Sequence, residues 1–159
     1  MNVVNTVAHS VDETTVNLGL QLSLTGGLVL VMVMIHSLGL VGIGKLLHLQ
    51  DKKLEERDFN VWAILLMARL GFSVFVLHLF EIAVFAFFYL KVVGLDSVEE
   101  ALFFSASTYS TLGATSDYFP HDWRLMGAVE GLIGFILIGW STAFMVSTMR
   151  KLSESPHRK

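Results

Sequence analysis

Cysteine is missing from this chain, which excludes disulfides, thiolate metal ligands and thiol nucleophiles, though it leaves the compartment open. Charge is scarce: 16% of the 159 residues are Asp, Glu, Lys or Arg. The net charge is −3 and no basic cluster stands out, so a nucleic-acid partner is not expected. No Lys or Arg precedes the first apolar run in MNVVNTVAHSVDETTVNLG. The basic start of a signal peptide is therefore lacking, and this stretch is expected to stay in the mature chain. Internal repeats, low-complexity tracts and a separate soluble domain are also missing.

What remains is 53% hydrophobic and gathered into long runs. They cover about residues Leu22–Leu46, Val61–Leu90 and Trp123–Met149. Each exceeds the roughly 20 residues that cross a hydrocarbon core of about 30 Å. The expected class is an all-α membrane protein with three transmembrane helices. Between the second and third runs lies DSVEEALFFSASTYSTLG. Ser97 followed by Glu100 has the form of a capping box, which predicts a helix starting near Val98. Gly113 leaves it about ten to twelve residues, too few to cross, as in a re-entrant half-helix.

Basic residues set the expected orientation. Lys45, Lys52, Lys53 and Arg57 follow the first run, and Arg150, Lys151, Arg158 and Lys159 follow the third. The positive-inside rule places both groups in the cytoplasm, with the N-terminus and residues 91–122 outside. The chain then divides into an extracytoplasmic tail (1–21), a first span with its loop (22–59), a central module (60–150) and a cytoplasmic tail (151–159).

Residues 107–117, STYSTLGATSD, put non-helical backbone at membrane depth. Such backbone must be buried in protein or line a watery path. The C-terminal end of a half-helix is partly negative and attracts cations. Extended backbone after it can turn carbonyls toward an axis, as in filters built from carbonyl rings. One chain supplies one strip, so a ring needs several copies. The physical reading is a symmetric cation pore.

ALFFSASTYSTLGATSD and WRLMGAVEGLIGFILIGWSTAF resemble the pore module of bacterial two-transmembrane-type potassium-channel-like proteins, the ion-transport-2 kind. The likeness covers about residues 60–150. The first span, with IHSLGL, is similar to an additional helix in one bacterial branch. The resemblance implies an outer helix, a re-entrant pore helix, a filter loop and an inner helix. It further implies a homotetramer in the cell membrane that conducts monovalent cations passively. No cofactor and no metal are implied beyond permeant K⁺ and Na⁺ in the filter.

The family's T-V-G-Y-G-D falls on Thr111, Leu112, Gly113, Ala114, Thr115 and Ser116, with Asp117 one step later. The filter Tyr has become Ala114 and the second Gly has become Thr115. A Cβ at that glycine costs on the order of 1–2 kcal/mol. The expectation is that sites made by Thr111, Leu112 and Gly113 survive while the outer ones are remodelled, weakening K⁺ over Na⁺ preference. A non-conducting scaffold or regulatory subunit is the alternative. An intramembrane enzyme is not expected, because residues 105–116 hold no His or Lys to activate a hydroxyl.

Other residues follow from this frame. Tyr109 and Glu130 are expected to support the filter, with Glu130 reaching Tyr109 or a Thr115/Ser116 amide. By resemblance Gly134 falls at the hinge glycine of the inner helix and Thr142 at a cavity-facing position. Glycines such as Gly131, Gly134 and Gly139 also permit close packing. Phe135, Ile138, Met145 and Met149 are candidates for an apolar constriction. Asp117, His121 and Asp122 would ring the outer mouth and concentrate cations. His36, His78 and Glu81 are ionisable groups at membrane depth, where charge is expensive and partners are needed. They suit a tie between the outer helices. A pH-sensing or metal role stays open, although no tight ligand motif joins them. A voltage sensor is not expected, since the second run holds Arg69 and no arginine ladder.

Overall fold

The computed structural model describes residues 3–49, 61–113 and 123–153, with side chains from Leu18 onward. Its helices are α1 (Val3–Leu46), α2 (Val61–Phe88), α3 (Val98–Tyr109) and α4 (Arg124–Ser153). Among the described residues three stretches are long and apolar enough to cross a membrane: Leu18–Leu46, Val61–Val93 and Arg124–Ser153. Among the described residues no strand occurs, and the all-helical membrane class stands. The backbone of α1 is already helical at Val3, well before the expected start at Leu22, so the stretch read as a tail joins the helix. No proline interrupts that stretch.

The helix α2 does not stop at Phe88. It continues into a π-helical turn, Tyr89–Val93, closed by Gly94 at φ 83°. The amide of Gly94 bonds the Tyr89 carbonyl at 3.0 Å. This left-handed position is one that glycine takes without the steric cost of a Cβ.

The short helix α3 begins as its sequence predicts. Ser97 Oγ accepts from the Glu100 amide at 3.4 Å, and Glu99 and Glu100 occupy the first turn, where carboxylates complement the dipole. Its 12 residues span about 18 Å at 1.5 Å per residue, short of a membrane's width. The helix is wedged between α2 and α4, and α1 packs against both of those helices.

Burial follows this arrangement. One core surrounds α3 and joins Met32, Phe85, Tyr89, Phe104, Tyr109, Met126, Ile133 and Leu137. A second, at the end marked by Lys45 and Lys151, is built from Leu40, Ile43, Leu47, Leu66, Leu70, Val74 and Leu152. Large apolar side chains face outward, Leu30, Phe72, Phe87 and Leu132 among them, as lipid-facing or subunit-facing surfaces do. Several hydroxyls on the long helices are satisfied locally: those of Ser23, Ser37, Ser73 and Thr148 bond the carbonyl four residues back.

Candidate functional site

The site is the C-terminal end of α3 and the loop that leaves it. The helix ends in a Schellman closure. The Leu112 amide bonds the Ser107 carbonyl at 3.0 Å, and the Thr111 amide bonds the Thr108 carbonyl at 2.9 Å. Thr111 takes the left-handed conformation at φ 64°, and Gly113 follows at φ 69°. Glycine or asparagine is usual at the position Thr111 fills; a threonine there is strained by about 1–2 kcal/mol. The strip expected to be extended is thus curled back through Gly113. The physical reason is that this curl satisfies α3 carbonyls that an extended exit would leave bare. Leu112 projects outward, 82% exposed. Ala114, Thr115, Asp117, His121 and Asp122 lie outside the described residues.

Behind this end, α4 presents glycines. A Cβ on Gly127 would sit 3.2 Å from the Phe104 ring, and one on Gly131 would sit 3.2 Å from the Thr108 carbonyl. One on Gly134 would collide with the Tyr109 carbonyl. The three line one face of α4 and let α3 dock backbone to backbone. Gly134 is therefore a contact glycine here, and Gly139 has open space around it. Gly127, which sequence reasoning passed over, belongs to the same row at four-residue spacing.

Two buried carboxylates bolt α3 in place. On α4, Glu130 is fully buried. It accepts from Ser105 Oγ at 2.5 Å and from the Tyr89 hydroxyl. Its partner on α3 is Ser105, not Tyr109 as expected. The Tyr109 side chain points to the other flank, where its hydroxyl donates to Glu81 Oε2 at 2.5 Å. Ser105 and Tyr109 are four residues apart, so they share a face of α3 and diverge to two different helices. Tyr89 went unnoticed in the sequence. Its signal was a phenol at membrane depth, which needs a hydrogen-bond partner when buried.

Glu81 is the hub of the second network. His36 Nδ1 donates to Glu81 Oε1 at 2.8 Å, and His78 Nδ1 lies 3.0 Å from Oε2. His78 Nδ1 also lies 2.9 Å from the Tyr109 hydroxyl. On its far side, His36 Nε2 meets Ser141 Oγ of α4 at 3.4 Å, and its ring lies 5.5 Å from that of Trp140. Each of the four helices thus contributes to one buried cluster. The Glu81–His36 pair ties α1 to α2, the Glu81–His78 pair lies within α2, and Tyr109 adds α3.

The inner-helix positions separate into two faces. Phe135, Ile138, Thr142, Val146 and Met149 fall at three- and four-residue spacing and are all exposed. The Thr142 hydroxyl bonds the Ile138 carbonyl of its own helix at 2.9 Å. Met145 differs: it is half-buried against the aliphatic core. On the exposed stripe its place is taken by Val146, 62% exposed.

A family model described as an ion channel matches residues 70–151, just over half of the chain. No curated protein and no solved structure matches the chain.

Proposed function

This chain belongs to the ion channel family, and we propose that it is the pore-forming subunit of a potassium-channel-like homotetramer conducting monovalent cations across the cell membrane. The observation that carries the reading is the half-helix α3. It is too short to span, is held between two spanning helices by Ser105 and Tyr109, and delivers Thr111-Leu112-Gly113 at its C-terminal end. The helix dipole and the carbonyls that follow favour a cation there. Four copies about an axis would turn one strip into rings. In that arrangement the exposed stripe Phe135, Ile138, Thr142, Val146 and Met149 faces the axis or a neighbour, and an apolar ring on it would close by dewetting.

The basic ends of α1 and α4 meet: Lys45 and Lys151 line one cavity of about 250 Å³. In this reading that end is cytoplasmic, and the N-terminus and the exit of α3 face outward. Permeant K⁺ and Na⁺ are the ions the filter holds. With Ala114 and Thr115 in place of Tyr and Gly, and a strained Thr111, dehydrating sites are fewer and K⁺ is weakly preferred over Na⁺. An outer ring from Asp117, His121 and Asp122 would gather cations.

The reversal potential of purified protein in planar bilayers, with KCl on one side and NaCl on the other, tests this. A value near zero with cations favoured over chloride supports the weakly selective pore. A value near the K⁺ equilibrium potential rejects the weakened filter. Absence of current, with the protein folded and tetrameric, would favour a non-conducting scaffold or regulatory subunit.

A further inference from the structure

We propose that His36, His78 and Glu81 form a divalent transition-metal site of the zinc class, set behind the pore helix and reaching it through Tyr109. Sequence spacing argued against such a site, because the three residues come from two helices and form no motif. The fold removes that objection. One ligand atom from each residue lies within 4.8 Å of the others. His36 and Glu81 are fully buried, and His78 is 15% exposed.

The donor set is two imidazoles and a carboxylate, which zinc takes in catalytic and regulatory sites with a position left for a fourth ligand. Bonds of about 2.0–2.1 Å in a tetrahedron imply ligand–ligand edges of about 3.3 Å. The His36 Nδ1–Glu81 Oε1 and His78 Nδ1–Glu81 Oε2 edges are 2.8 and 3.0 Å. Opening each by a few tenths of an ångström, with the imidazole protons shifted to Nε2 so that each Nδ1 lone pair faces inward, admits the ion. The Tyr109 hydroxyl, 2.9 Å from His78 Nδ1 and 2.5 Å from Glu81 Oε2, lies within reach as a fourth ligand.

Outer partners are also in place. A metal-bound histidine almost always uses its second nitrogen on a fixed polar group, which orients the ring. His36 Nε2 faces Ser141 Oγ on α4. The stacked His36 and His78 rings, with centroids 5.6 Å apart, hold both Nδ1 atoms toward the same carboxylate. Charge argues the same way. A divalent ion compensates a carboxylate held at membrane depth, as Glu81 is. The imidazole and carboxylate ligands place Cu²⁺ and Zn²⁺ above Mn²⁺ and Fe²⁺ in affinity.

The consequence runs to the pore. Tyr109 ends α3, two residues before Thr111, and its carbonyl rests on Gly134. An ion that draws His78 Nδ1 and Glu81 Oε2 inward either takes the Tyr109 hydroxyl as a ligand or strips it of its partners. Either event changes the seat of the filter entrance. Binding itself is independent of the channel reading; its effect on current rests on that reading.

The test is a Co²⁺ titration of the full-length protein in nanodiscs after stripping with chelator. The expected result is one Co²⁺ per chain with the visible absorption of tetrahedral cobalt, bleached by Zn²⁺. His36→Gln and His78→Gln should each weaken binding on the order of 100-fold or more, since changes in outer-shell partners alone cost 10–100-fold. Ser141→Ala should weaken it by about tenfold. Zinc-edge absorption on the unmodified protein should show two imidazoles, a readout that needs no variant to fold. Absence of saturable binding to helical, monodisperse protein overturns the proposal. So does a cobalt spectrum that persists in both histidine variants, or an edge spectrum without imidazole. Protein that binds Co²⁺ but carries no current sinks the channel reading and leaves this one standing; protein that conducts without binding does the reverse.

Discussion

Around α3 the helices are joined by Glu81, Glu130, His36, His78, Tyr89, Ser105 and Tyr109, all wholly or largely buried. At the opposite end, between Leu40 and Leu47 of α1 and Leu66 to Val74 of α2, the contact is aliphatic. The two ends face the same lipid, so the difference is not one of solvent. Interhelical hydrogen bonds in membranes contribute roughly 0.6–2 kcal/mol each, no more than good packing does. What they add is direction. A carboxylate accepts from donors at defined angles, whereas leucines slide past one another at little cost. In the channel reading proposed above, the end that holds the filter entrance is the hydrogen-bonded one, and the end that would move is the aliphatic one.

Substitutions can break that comparison or sharpen it, and the largest effect is expected at Gly134. Gly134→Val drives a side chain into the Tyr109 carbonyl and should abolish flux and tetramer recovery, read by vesicle flux and by size on a detergent column. Wild-type flux from this variant would mean that α3 does not dock as described.

Glu130→Ala removes the carboxylate shared by the Tyr89 and Ser105 hydroxyls, while Ser105 Oγ keeps the Ile82 carbonyl at 3.0 Å. A loss of roughly 1–3 kcal/mol is expected in denaturant unfolding, together with a shift in the K⁺/Na⁺ reversal potential. Leu70→Ala, in the aliphatic end, should cost about 2–3 kcal/mol yet leave the reversal potential where it was. If Leu70→Ala changed selectivity as much as Glu130→Ala, the division of labour between the two ends would be lost.

Tyr109→Phe should cost about 1–3 kcal/mol, because Glu81 loses a buried donor, with the reversal potential again the sharper readout. The smallest effect is expected at Thr111→Asn. Asparagine tolerates the left-handed position, so the melting temperature should rise by an amount worth up to about 1 kcal/mol. Flux should fall, because the curled closure is better held.

The sequence made the skeleton readable. Run lengths placed the three spans to within a few residues, and Ser97 with Glu100 located α3. Both signals are local, written within one turn or one apolar run. The turn at Tyr89–Val93 left no such mark, because one extra residue in a helix changes no composition. The site was half readable. His36, His78, Glu81 and Glu130 stood out as ionisable groups in apolar runs, and their need for partners followed. The choice of partner did not. Glu130 bonds Tyr89, 41 residues away, and Ser105 rather than Tyr109, because the rotation of α3 about its axis decides which hydroxyl faces which helix. That rotation is fixed by Gly127, Gly131 and Gly134, whose message is carried by side chains they do not have.

Those glycines also make α4 a lever with its fulcrum off centre. The rod is held backbone-close at Gly131 and Gly134, and among the described residues its last turns pack mainly on the aliphatic core of Leu40, Ile43, Leu47, Leu66 and Leu70. From Gly134 to Met149 is about 22 Å at 1.5 Å per residue. A tilt of about 5° at the fulcrum swings Met149 by about 2 Å while the Tyr109 carbonyl, resting on the pivot, barely moves. In the channel reading, a single unbent helix could thus combine movement at one end with a stationary bearing at the other.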